Sequence, residues 1–571
     1  MASESRIHST NSVQVCENCQ SEFTIEPDDF GFYETIKVPP PVWCPDCRRL
    51  RRMNWVSYRI LYKRKCDFTG ENIITFYHPD IPCKVYKQDI WWSDKWDPKS
   101  YGREYDFKRP FFEQYRELLS EVPRAALHTS YTTLNNSEYC NAVSFLKNCY
   151  LSFRHITGED NAYTNFVLSL TNCLDVAFTI NSDLCYETVD VGHSFQTFFS
   201  QDCHNCQNVY FSRDLVNCSN CFGCTSLRNK SHCIFNEQYT KEEYEKKIKE
   251  FDTGSRKNLE NINKEAYDFS LKYPRRPLRI VNGVNVSGEY IYNSRNVRNV
   301  YHMADSENVR YSELFIAGGV KNSYDYTYFG QNSELMYESS WVGNQAYKNL
   351  FGVWGYSNND TEYTFGCHGS SNLFGCVGLN KSEYCIFNKQ YTKEEYEKLV
   401  RKIKKHMDEM PFSDRRGLRH GYGGQIPVDL CPWAYNESTA YEFFPISKEE
   451  AIRKGFTWRD PDPREYMPAT ITVSDHIKDV SDEILKSVLK CEDCGKNYQI
   501  IQKELVFLRR FNLPVPNHCP LCRDRARIKQ MNPMQIYKRN CAKCNSLMET
   551  SYAPDRPEIV YCENCYKKEV Y

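Results

Sequence analysis

The chain carries the same cysteine cassette twice, once near each end, with identical internal spacing. Each cassette has two Cys-x-x-Cys pairs, and each continues into a proline cluster and a basic segment that match those of the other copy. Two such pairs place four thiolates around one point, which is the closed tetrahedral shell of a structural zinc site. The sequence therefore predicts a zinc ribbon at each end, with the ligands Cys16, Cys19, Cys44, Cys47, Cys491, Cys494, Cys519 and Cys522.

A further complete set of zinc ligands lies at the C-terminal end and predicts two ribbons in tandem there. Its members are Cys541, Cys544, Cys562 and Cys565.

The N-terminal copy aligns with this second ribbon but has lost its ligands. Only Cys66 remains, because Thr69, Lys87 and Ile90 occupy the other three ligand positions. Since these side chains cannot replace thiolates, we expect no metal there. Burial of apolar residues is expected to take its place, with stacking of the tryptophans on bases or sugars as the alternative; the residues are Ile90, Trp91, Trp92 and Trp96.

These ligand sets predict three bound zinc ions and a reducing compartment. Disulfide pairing in a secreted protein fits less well, because Met1 to Ser12 contains no apolar signal core and no run of about eighteen apolar residues follows. We therefore expect a cytoplasmic protein that does not enter a membrane.

The middle of the chain is a repeat array rich in asparagine and aromatic residues. Asn followed by small, aromatic and β-branched residues recurs, for example at Asn148, Asn161, Asn322 and Asn332. The recurrence averages about a dozen residues, which we interpret as half-turns of a β-solenoid. Asn and Gly at corners and frequent Tyr and Phe are typical of such strands.

The array is duplicated, and each copy predicts a helix at its end. The phrase from Cys233 to Asn236 and the following Gln238–Lys246 recur almost unchanged from Cys385. Thr240 and Thr392 each begin a capping-box pattern before an amphipathic stretch. Such a helix would cover the open edge of the last coil.

The predicted fold class is mainly β: duplicated β-solenoid blocks, parallel β-helix-like and with capping helices, flanked by zinc ribbons at both ends. The predicted segments are a zinc ribbon (1–65), a metal-free second ribbon with a Trp-rich segment (66–129), solenoid block 1 with its helix (130–252), a linker (253–285), solenoid block 2 with its helix (286–408), a connector with short helices (409–490), a zinc ribbon (491–540) and a C-terminal zinc ribbon (541–571).

Four cysteines of block 1 form two further Cys-x-x-Cys pairs that block 2 lacks. They would bind a fourth zinc ion if they converge, whereas a ladder of packed cysteines explains them without a metal. The four residues are Cys203, Cys206, Cys218 and Cys221.

Both ribbon pairs contain a basic segment directly after a zinc knuckle. Arg48 to Lys65 has eight basic and no acidic residues, and Arg523 to Arg539 has six basic and one acidic. Such segments with interleaved aromatics suit nucleic acid. The alternatives are a solvated basic helix or docking onto the acidic surface of the middle region of the same chain. The candidate contact residues are Arg48, Arg49, Arg51, Arg52, Arg59, Lys63, Arg64, Lys65, Arg523, Arg525, Arg527, Lys529, Lys538 and Arg539.

Three function classes remain open at this point. The first is a non-enzymatic zinc-binding scaffold that contacts nucleic acid or a ribonucleoprotein, and the second is a scaffold that assembles proteins only. The third is a carbohydrate-active β-helix enzyme, although no spacing of catalytic groups supports it; its candidates are Asp183, Asp190, His193, Asp202 and His204.

The segment that starts at Cys16 resembles a known domain family. Its Cys-x-x-Cys pair, central Phe-Tyr, proline cluster and Cys-Pro-x-Cys-Arg exit resemble the small bacterial "probable zinc-ribbon" domain. The whole arrangement resembles large zinc-ribbon proteins of small-genome candidate-phyla bacteria. The resemblance implies zinc ribbons at both ends and implies no activity.

Overall fold

A computed structural model describes residues 12–315, 318–461, 463 and 465–571. The described chain separates into two compact units, each built from two stretches that are distant in sequence. Unit 1 combines Met1–Leu127 with Arg279–Asp460, and unit 2 combines His128–Leu278 with Pro461–Tyr571. Residues 1–11, which contribute to the expectation about a signal core, lie outside the described residues.

The first stretch of unit 1 is a mixture of short strands and helices. Its elements are β1 (Ser12–Val15), β2 (Glu22–Ile25), α1 (Pro27–Ile36), α2 (Pro45–Asn54), β3 (Tyr62–Lys65), β4 (Asn72–Thr75), β5 (Val85–Tyr86), α3 (Gln88–Trp91), α4 (Phe111–Glu121) and β6 (Arg124–Ala125).

The first stretch of unit 2 is a long parallel array followed by two helices. Its elements are β7 (Leu134–Asn135), β8 (Asn141–Lys147), β9 (Phe153–Glu159), β10 (Ala162–Thr171), β11 (Leu174–Ala177), β12 (Ile180–Asp183), β13 (Tyr186–Gly192), β14 (Phe195–Phe198), β15 (Gln201–His204), β16 (Gln207–Tyr210), β17 (Arg213–Val216), β18 (Ser219–Phe222), β19 (Ser231–Ile234), β20 (Glu237–Gln238), α5 (Lys241–Lys247) and α6 (Arg256–Ser270).

The second stretch of unit 1 repeats that plan. Its elements are β21 (Ile280–Val281), β22 (Val284–Tyr292), β23 (Arg295–Ala304), β24 (Glu307–Arg310), β25 (Lys321–Gly330), β26 (Tyr337–Gly343), β27 (Tyr347–Leu350), β28 (Val353–Tyr356), β29 (Asn359–Glu362), β30 (Phe365–His368), β31 (Ser371–Phe374), β32 (Glu383–Ile386), β33 (Lys389–Gln390), α7 (Lys393–Glu409), β34 (Phe412–Ser413), β35 (Arg419–His420), α8 (Thr439–Phe443) and α9 (Lys448–Arg453).

The second stretch of unit 2 resembles the first stretch of unit 1. Its elements are β36 (Leu489–Lys490), β37 (Asn497–Tyr498), α10 (Gln502–Arg510), α11 (Pro520–Gln530), β38 (Tyr537–Asn540), β39 (Leu547–Thr550) and α12 (Glu563–Val570). Single turns of 3-10 helix lie at Pro98–Tyr101, Tyr131–Thr133, Ile248–Glu250, Val428–Leu430, Tyr435–Glu437, Ile477–Asp479 and Asp482–Lys486.

The two parallel arrays are the predicted β-solenoids, which confirms the fold class. We call β7–β20 solenoid A and β21–β33 solenoid B. Within solenoid A, strands pair in parallel with the strand one coil later, as Gln207 does with Ser219. Hydrogen bonds between successive coils join residues twelve positions apart, as from Ser212 N–H to Ser200 Oγ. A dozen residues therefore make a whole coil, and the expectation of half-turns was wrong.

The coils are square because the backbone turns at every third residue. Positive φ recurs through solenoid A at this spacing, for example at Asn172 (52°), Asp175 (55°) and Phe178 (52°). The residue after each turn points inward, and Cys173 and Val176 are fully buried there. Small side chains (Cys, Val, Ser, Thr) fit this narrow interior and are close-packed.

Each solenoid ends in the same way. An antiparallel strand closes the last coil, since Cys233 pairs with Gln238 and Cys385 with Gln390. The helices α5 and α7 follow, each with the predicted capping box at its start. This arrangement covers the edge of the sheet that would otherwise be open. The linker assigned to 253–285 also contains a fifteen-residue helix, α6.

Other elements form four ribbons, two in each unit. Ribbon 1 (12–61) and ribbon 2 (62–96) belong to unit 1, and ribbon 3 (489–536) and ribbon 4 (537–571) belong to unit 2. Each pair packs on the solenoid of its own unit: α2 contacts β25 and β26, whereas α11 contacts β11 and β13. Each unit is thus a ribbon pair joined to a solenoid from another part of the chain.

Candidate metal centres and buried arginine clusters

Three groups of four cysteines converge, one in each of ribbons 1, 3 and 4. Within each group all four thiol sulfurs lie within 4.8 Å of one another. The Sγ atoms of Cys19 and Cys44 are 3.7 Å apart, and those of Cys494 and Cys519 are 3.8 Å apart. Four sulfurs around Zn²⁺ at about 2.3 Å would be about 3.8 Å apart, so the groups fit a tetrahedral zinc ion.

Local backbone geometry brings the four thiols of each group together. The first pair lies on a tight turn after a strand, and the second pair begins a helix, as Cys44 does before α2. The N–H of that helix-capping cysteine donates to the first sulfur over 3.2 Å in every case: Cys44 to Cys16, Cys519 to Cys491 and Cys562 to Cys541. These bonds stabilise the thiolate form that binds zinc.

Hydrogen bonding lowers the pKa of some ribbon thiols, whereas burial raises that of others, such as Cys519, to about 11. Burial alone would raise the pKa of Cys491, but the backbone N–H groups of Cys494 and Cys519 outweigh it and lower this pKa to about 7. Hydrogen bonding to Ser546 lowers the pKa of Cys544 to about 6. Thiolates that persist near neutral pH favour metal binding.

The chemistry of these centres is structural. Four thiolates leave no open position for water or substrate, so a bound zinc would brace the fold without catalysing a reaction. The three predicted ligand sets are therefore brought together by the structure and fit three zinc ions.

Ribbon 2 keeps the ribbon backbone without the ligands. Cys66 Sγ accepts N–H groups of Thr69 (3.4 Å) and Lys87 (3.3 Å), as the first cysteine of a zinc ribbon does. The strands pair in the register seen in ribbon 4, with Tyr62 opposite Thr75 and Tyr537 opposite Thr550.

Tryptophan packing replaces the metal at this position, as expected. Trp91 is 1% exposed and Ile90 is 5% exposed. The ring of Trp91 lies 5.3 Å from that of Trp354 in solenoid B, and its N–H donates to the carbonyl of Pro123 over 3.0 Å. These contacts confirm the core-packing interpretation for Trp91.

The four cysteines that could have held a fourth zinc lie in a ladder inside solenoid A. Each of their thiols donates to the carbonyl two residues earlier, as Cys203 does to Gln201 and Cys206 to His204. Burial raises the pKa of Cys203 well above its usual range and that of Cys206 to about 12. These four cysteines lie in the buried core of solenoid A and are not among the described groups of converging thiols, so we interpret them as small apolar residues; they are Cys203, Cys206, Cys218 and Cys221.

The arginines after the knuckle of ribbon 1 point into solenoid B. Arg48 and Arg52 both pair with Asp325 in β25, at 2.9 and 2.8 Å, and Arg51 pairs with Glu338 in β26 at 2.7 Å. Arg52 is 0% exposed. We call this group arginine cluster 1.

The aligned arginines of ribbon 3 form the same arrangement with solenoid A. Arg523 and Arg527 pair with Asp175 in β11, at 3.1 and 2.9 Å, and Arg527 also pairs with Glu187 in β13 at 3.0 Å. We call this group arginine cluster 2. Burial raises the pKa of Glu187 to about 7 despite the attraction of Arg527.

A hydrogen bond from a solenoid tyrosine to a ribbon carboxylate occurs at aligned positions within each unit. Tyr311 donates to the carboxylate of Asp29 in α1 over 3.2 Å. At the aligned positions of unit 2, Tyr163 donates to the carboxylate of Glu504 in α10 over 3.0 Å. The same ribbon surface therefore meets the same solenoid surface in both units.

These contacts correct part of the nucleic-acid prediction. Arg48, Arg51, Arg52, Arg523 and Arg527 are buried in ion pairs within their own unit, so their guanidinium groups cannot reach a phosphate without undocking. The intramolecular alternative holds for these five.

The other nine candidates lie nearer the surface. Lys63, Lys65, Arg525, Lys529 and Lys538 are exposed, and Arg49, Arg59, Arg64 and Arg539 are partly buried. Within this group, Arg59 pairs with Glu442 and Arg64 with Asp67.

Sequence reasoning missed the carboxylates that receive the arginines. These carboxylates all stand at turn positions with positive φ, each one residue before an inward-facing position; they are Asp175, Glu187, Asp325 and Glu338. The recurrence of Tyr-Glu at Tyr186 and Tyr337 was a visible signal, since an acidic residue next to a buried tyrosine needs a partner.

The residues kept for the enzyme alternative lie along solenoid A. His204 Nε2 is 3.5 Å from Asp190 Oδ2. Asp183 accepts from the Asn172 amide over 3.4 Å and, with His193, lines an open depression. Asp202 is buried.

Comparisons with known proteins identify no family. No family model matches the chain, and no curated protein matches it. A crystal structure described as an acetyltransferase from Desulfovibrio desulfuricans G20 aligns at 11% identity over 50% of this chain and 86% of the other, with a TM-score of 0.11. A TM-score this low carries no argument about fold or function. Among the described residues, every helix is too short or too polar to cross a bilayer.

Proposed function

We propose that the protein is a non-enzymatic scaffold in which zinc-braced ribbons hold two β-solenoids. The observation that carries this proposal is the burial of the ribbon arginines against solenoid carboxylates in both units. Zinc orders the knuckle, the knuckle begins the helix that carries the arginines, and the arginines neutralise Asp325 and Asp175. Zinc is thereby coupled to the docking of each ribbon pair.

The experiment that tests this coupling is limited proteolysis of the full chain with and without a zinc chelator. The account expects the zinc-loaded protein to resist cleavage between ribbon and solenoid, and the chelated protein to be cut at Arg48, Arg52, Arg523 or Arg527 by trypsin, because those side chains become accessible. Equal protection of these sites in both samples would contradict the coupling.

We also propose that exposed lysines of the ribbons are the surface through which the scaffold contacts nucleic acid. Lys63, Lys65, Lys529 and Lys538 support this version, because the buried arginines do not contribute to it. Single-stranded and duplex RNA and DNA, titrated across a salt series, would bind with a steep salt dependence that weakens when these four lysines become alanine. Absence of binding at low salt would favour a scaffold for proteins only.

We also propose a domain family and a cellular compartment for the protein. The motif of ribbon 1 supports membership of the "probable zinc-ribbon" family, and twenty-eight cysteines with unpaired thiols in the described chain suit a reducing cytoplasm. A solved structure with zinc bound by other residues of ribbon 1 would overturn the first. Disulfides that are present when the free thiols are blocked by an alkylating agent at cell lysis would overturn the second.

A further inference from the structure

Unit 2 contains a cavity that neither the zinc sites nor the scaffold proposal explains. It has a volume of about 740 Å³ and lies between solenoid A, α6 and the helix α11 of ribbon 3. Cavities that bind small molecules in proteins have volumes of about 300–1,000 Å³. The space is therefore large enough for a ligand of nucleotide size.

Some charged groups of the cavity wall are already neutralised. Arg556 pairs with Glu558, and Arg523 pairs with Glu504 at 2.7 Å. Glu187 is paired with Arg527. These groups shape the wall and leave little net charge of their own.

Two further arginines of the wall donate hydrogen bonds to neutral oxygens. Arg213 donates to the amide oxygen of Gln201, and Arg256 donates to the carbonyl of Val515 over 3.0 Å. Nε of Arg256 is buried and has no hydrogen-bond partner among the described residues. Lys529 is exposed at the same cavity, as are the acidic Glu260 and Asp493. Guanidinium and ammonium groups at a cavity wall favour an anionic oxygen as ligand.

The same solenoid face in unit 1 is covered by apolar side chains. Val353 and Phe365 stand at the positions of Gln201 and Arg213, and each is 1% exposed. The guanidinium of Arg124 lies 4.4 Å from the Phe365 ring centroid, and Trp433 packs beside it at 6.4 Å. The two positions are therefore polar in unit 2, where they line the cavity, and apolar in unit 1, where they are buried in the core.

Aromatic side chains provide the other half of the wall. Tyr186, Phe199, Phe211 and Tyr267 line the cavity, and the rings of Phe199 and Phe211 are stacked 4.8 Å apart. We propose that this cavity binds an organic anion of nucleotide size, with its phosphate held by Arg213, Arg256 and Lys529 and its planar ring held against the aromatic wall.

Calorimetric titration of the zinc-loaded full chain tests this proposal. The probes are four nucleoside monophosphates (AMP, GMP, CMP and UMP), with the matching nucleosides and inorganic phosphate as separate arms. We expect at least one monophosphate to bind about tenfold more tightly than its nucleoside or phosphate alone, because the two halves of the site act together.

Variants locate the binding. Arg213→Phe installs the unit 1 residue and is expected to weaken the monophosphate about tenfold or more, as is Lys529→Ala. Lys147→Ala removes an exposed positive charge of solenoid A outside the cavity and is expected to leave affinity unchanged. Unchanged zinc content and circular dichroism establish that each variant is folded; if Arg213→Phe fails this check, Arg213→Gln replaces it.

Three outcomes would overturn the proposal. The first is no binding of any monophosphate at millimolar concentration, and the second is phosphate binding as tightly as the monophosphates. The third is equal monophosphate affinity in folded Arg213→Phe, Lys529→Ala and wild-type protein. None of these outcomes bears on zinc-dependent docking, so the scaffold proposal is tested separately.

Discussion

Ribbon 2 of unit 1 and ribbon 4 of unit 2 have the same backbone and are held in different ways. Ribbon 4 has four converging cysteines, whereas ribbon 2 keeps only Cys66 and packs Trp91 against solenoid B. At the position of Trp91, ribbon 4 has Tyr566, which is also buried and hydrogen-bonds to Arg228 of solenoid A over 2.9 Å. A zinc ion bound by the four cysteines of ribbon 4 would therefore stabilise the same backbone that buried Trp91 stabilises in ribbon 2.

The two units also differ in their spectroscopic signals, because their tryptophan contents differ. All nine tryptophans belong to unit 1: Trp43, Trp55, Trp91, Trp92, Trp96, Trp341, Trp354, Trp433 and Trp458. Tryptophan fluorescence thus reports on unit 1, while circular dichroism reports on both. Of the three cysteine groups, one is in unit 1 and two are in unit 2.

The largest expected effect is a loss of zinc and of stability in ribbon 4 that the aligned substitution in ribbon 2 does not cause. Replacing Cys541 and Cys544 by Ser should remove one zinc and about 10 kcal/mol of binding free energy that stabilises ribbon 4. Cys66→Ser, at the position of Cys541, should leave the zinc content unchanged and cost about 1 kcal/mol. Native mass spectrometry and denaturant unfolding measure both; loss of zinc on Cys66→Ser would contradict the account.

The second largest loss of stability should come from removing the buried Trp91 side chain of ribbon 2. Trp91→Ala is expected to lower the free energy of unfolding of unit 1 by about 3–5 kcal/mol, because a fully buried ring leaves a cavity. Tyr566→Ala should cost less, since zinc still holds ribbon 4. Urea titrations followed by fluorescence for Trp91→Ala and by circular dichroism for Tyr566→Ala would check this; a larger loss for Tyr566→Ala would reverse the comparison.

Substitutions in the two arginine clusters should lower the free energy of unfolding to a similar extent, each in its own unit. Asp325→Asn leaves Arg48 and Arg52 without their shared buried carboxylate and should cost about 3–5 kcal/mol. Asp175→Asn should lower the free energy of unfolding of unit 2 by the same amount. It should leave the unfolding transition detected by tryptophan fluorescence unchanged, because that signal comes from unit 1.

An exposed ion pair supplies the matched control for these substitutions. Glu159→Gln breaks its pair with Lys147 and should cost less than about 1 kcal/mol. Asp325→Asn with a cost no greater than that of Glu159→Gln would show that cluster 1 does not hold the ribbon.

The smallest effect is a pH dependence that arises from one buried histidine in each unit and can be assigned to unit 1 by fluorescence. Burial lowers the pKa of His368 in solenoid B to about 3, and that of His155 in solenoid A likewise to about 3. Below about pH 6.5 the unfolded chain binds a proton that the folded histidine does not, so stability falls with falling pH.

For unit 1 this amounts to about 1.4 kcal/mol between pH 7.5 and 5.5. His368→Phe should remove that part of the fluorescence-detected slope, and His155→Phe should not. An unchanged slope in folded His368→Phe would rule out this histidine as the cause.

The ribbons could be predicted from sequence because their signals are local. The Cys-x-x-Cys spacing fixes four ligands around one point, and the replacement of three ligand cysteines by Thr69, Lys87 and Ile90 is visible when the two cassettes are aligned. The capping boxes at Thr240 and Thr392 are equally local. The solenoid class followed from the repeats, but its coil length did not.

The features that were missed depend on contacts distant in sequence or on unusual backbone. Left-handed turns at every third residue are occupied by Phe178 and Asp175 as readily as by Asn172, so turn chemistry does not mark the corners. Arg52 and Asp325 are separated by 273 positions, and a basic segment looks the same whether it meets a phosphate or a buried carboxylate.

The most direct test of the central claim is the zinc content of the two units, measured by native mass spectrometry on the full chain and on a variant with Cys16 and Cys19 changed to Ser. The account predicts three zinc ions in the wild type and two in the variant, with the fluorescence of unit 1 altered and both zinc ions of unit 2 retained. Four zinc ions, or none, in the wild type would contradict it.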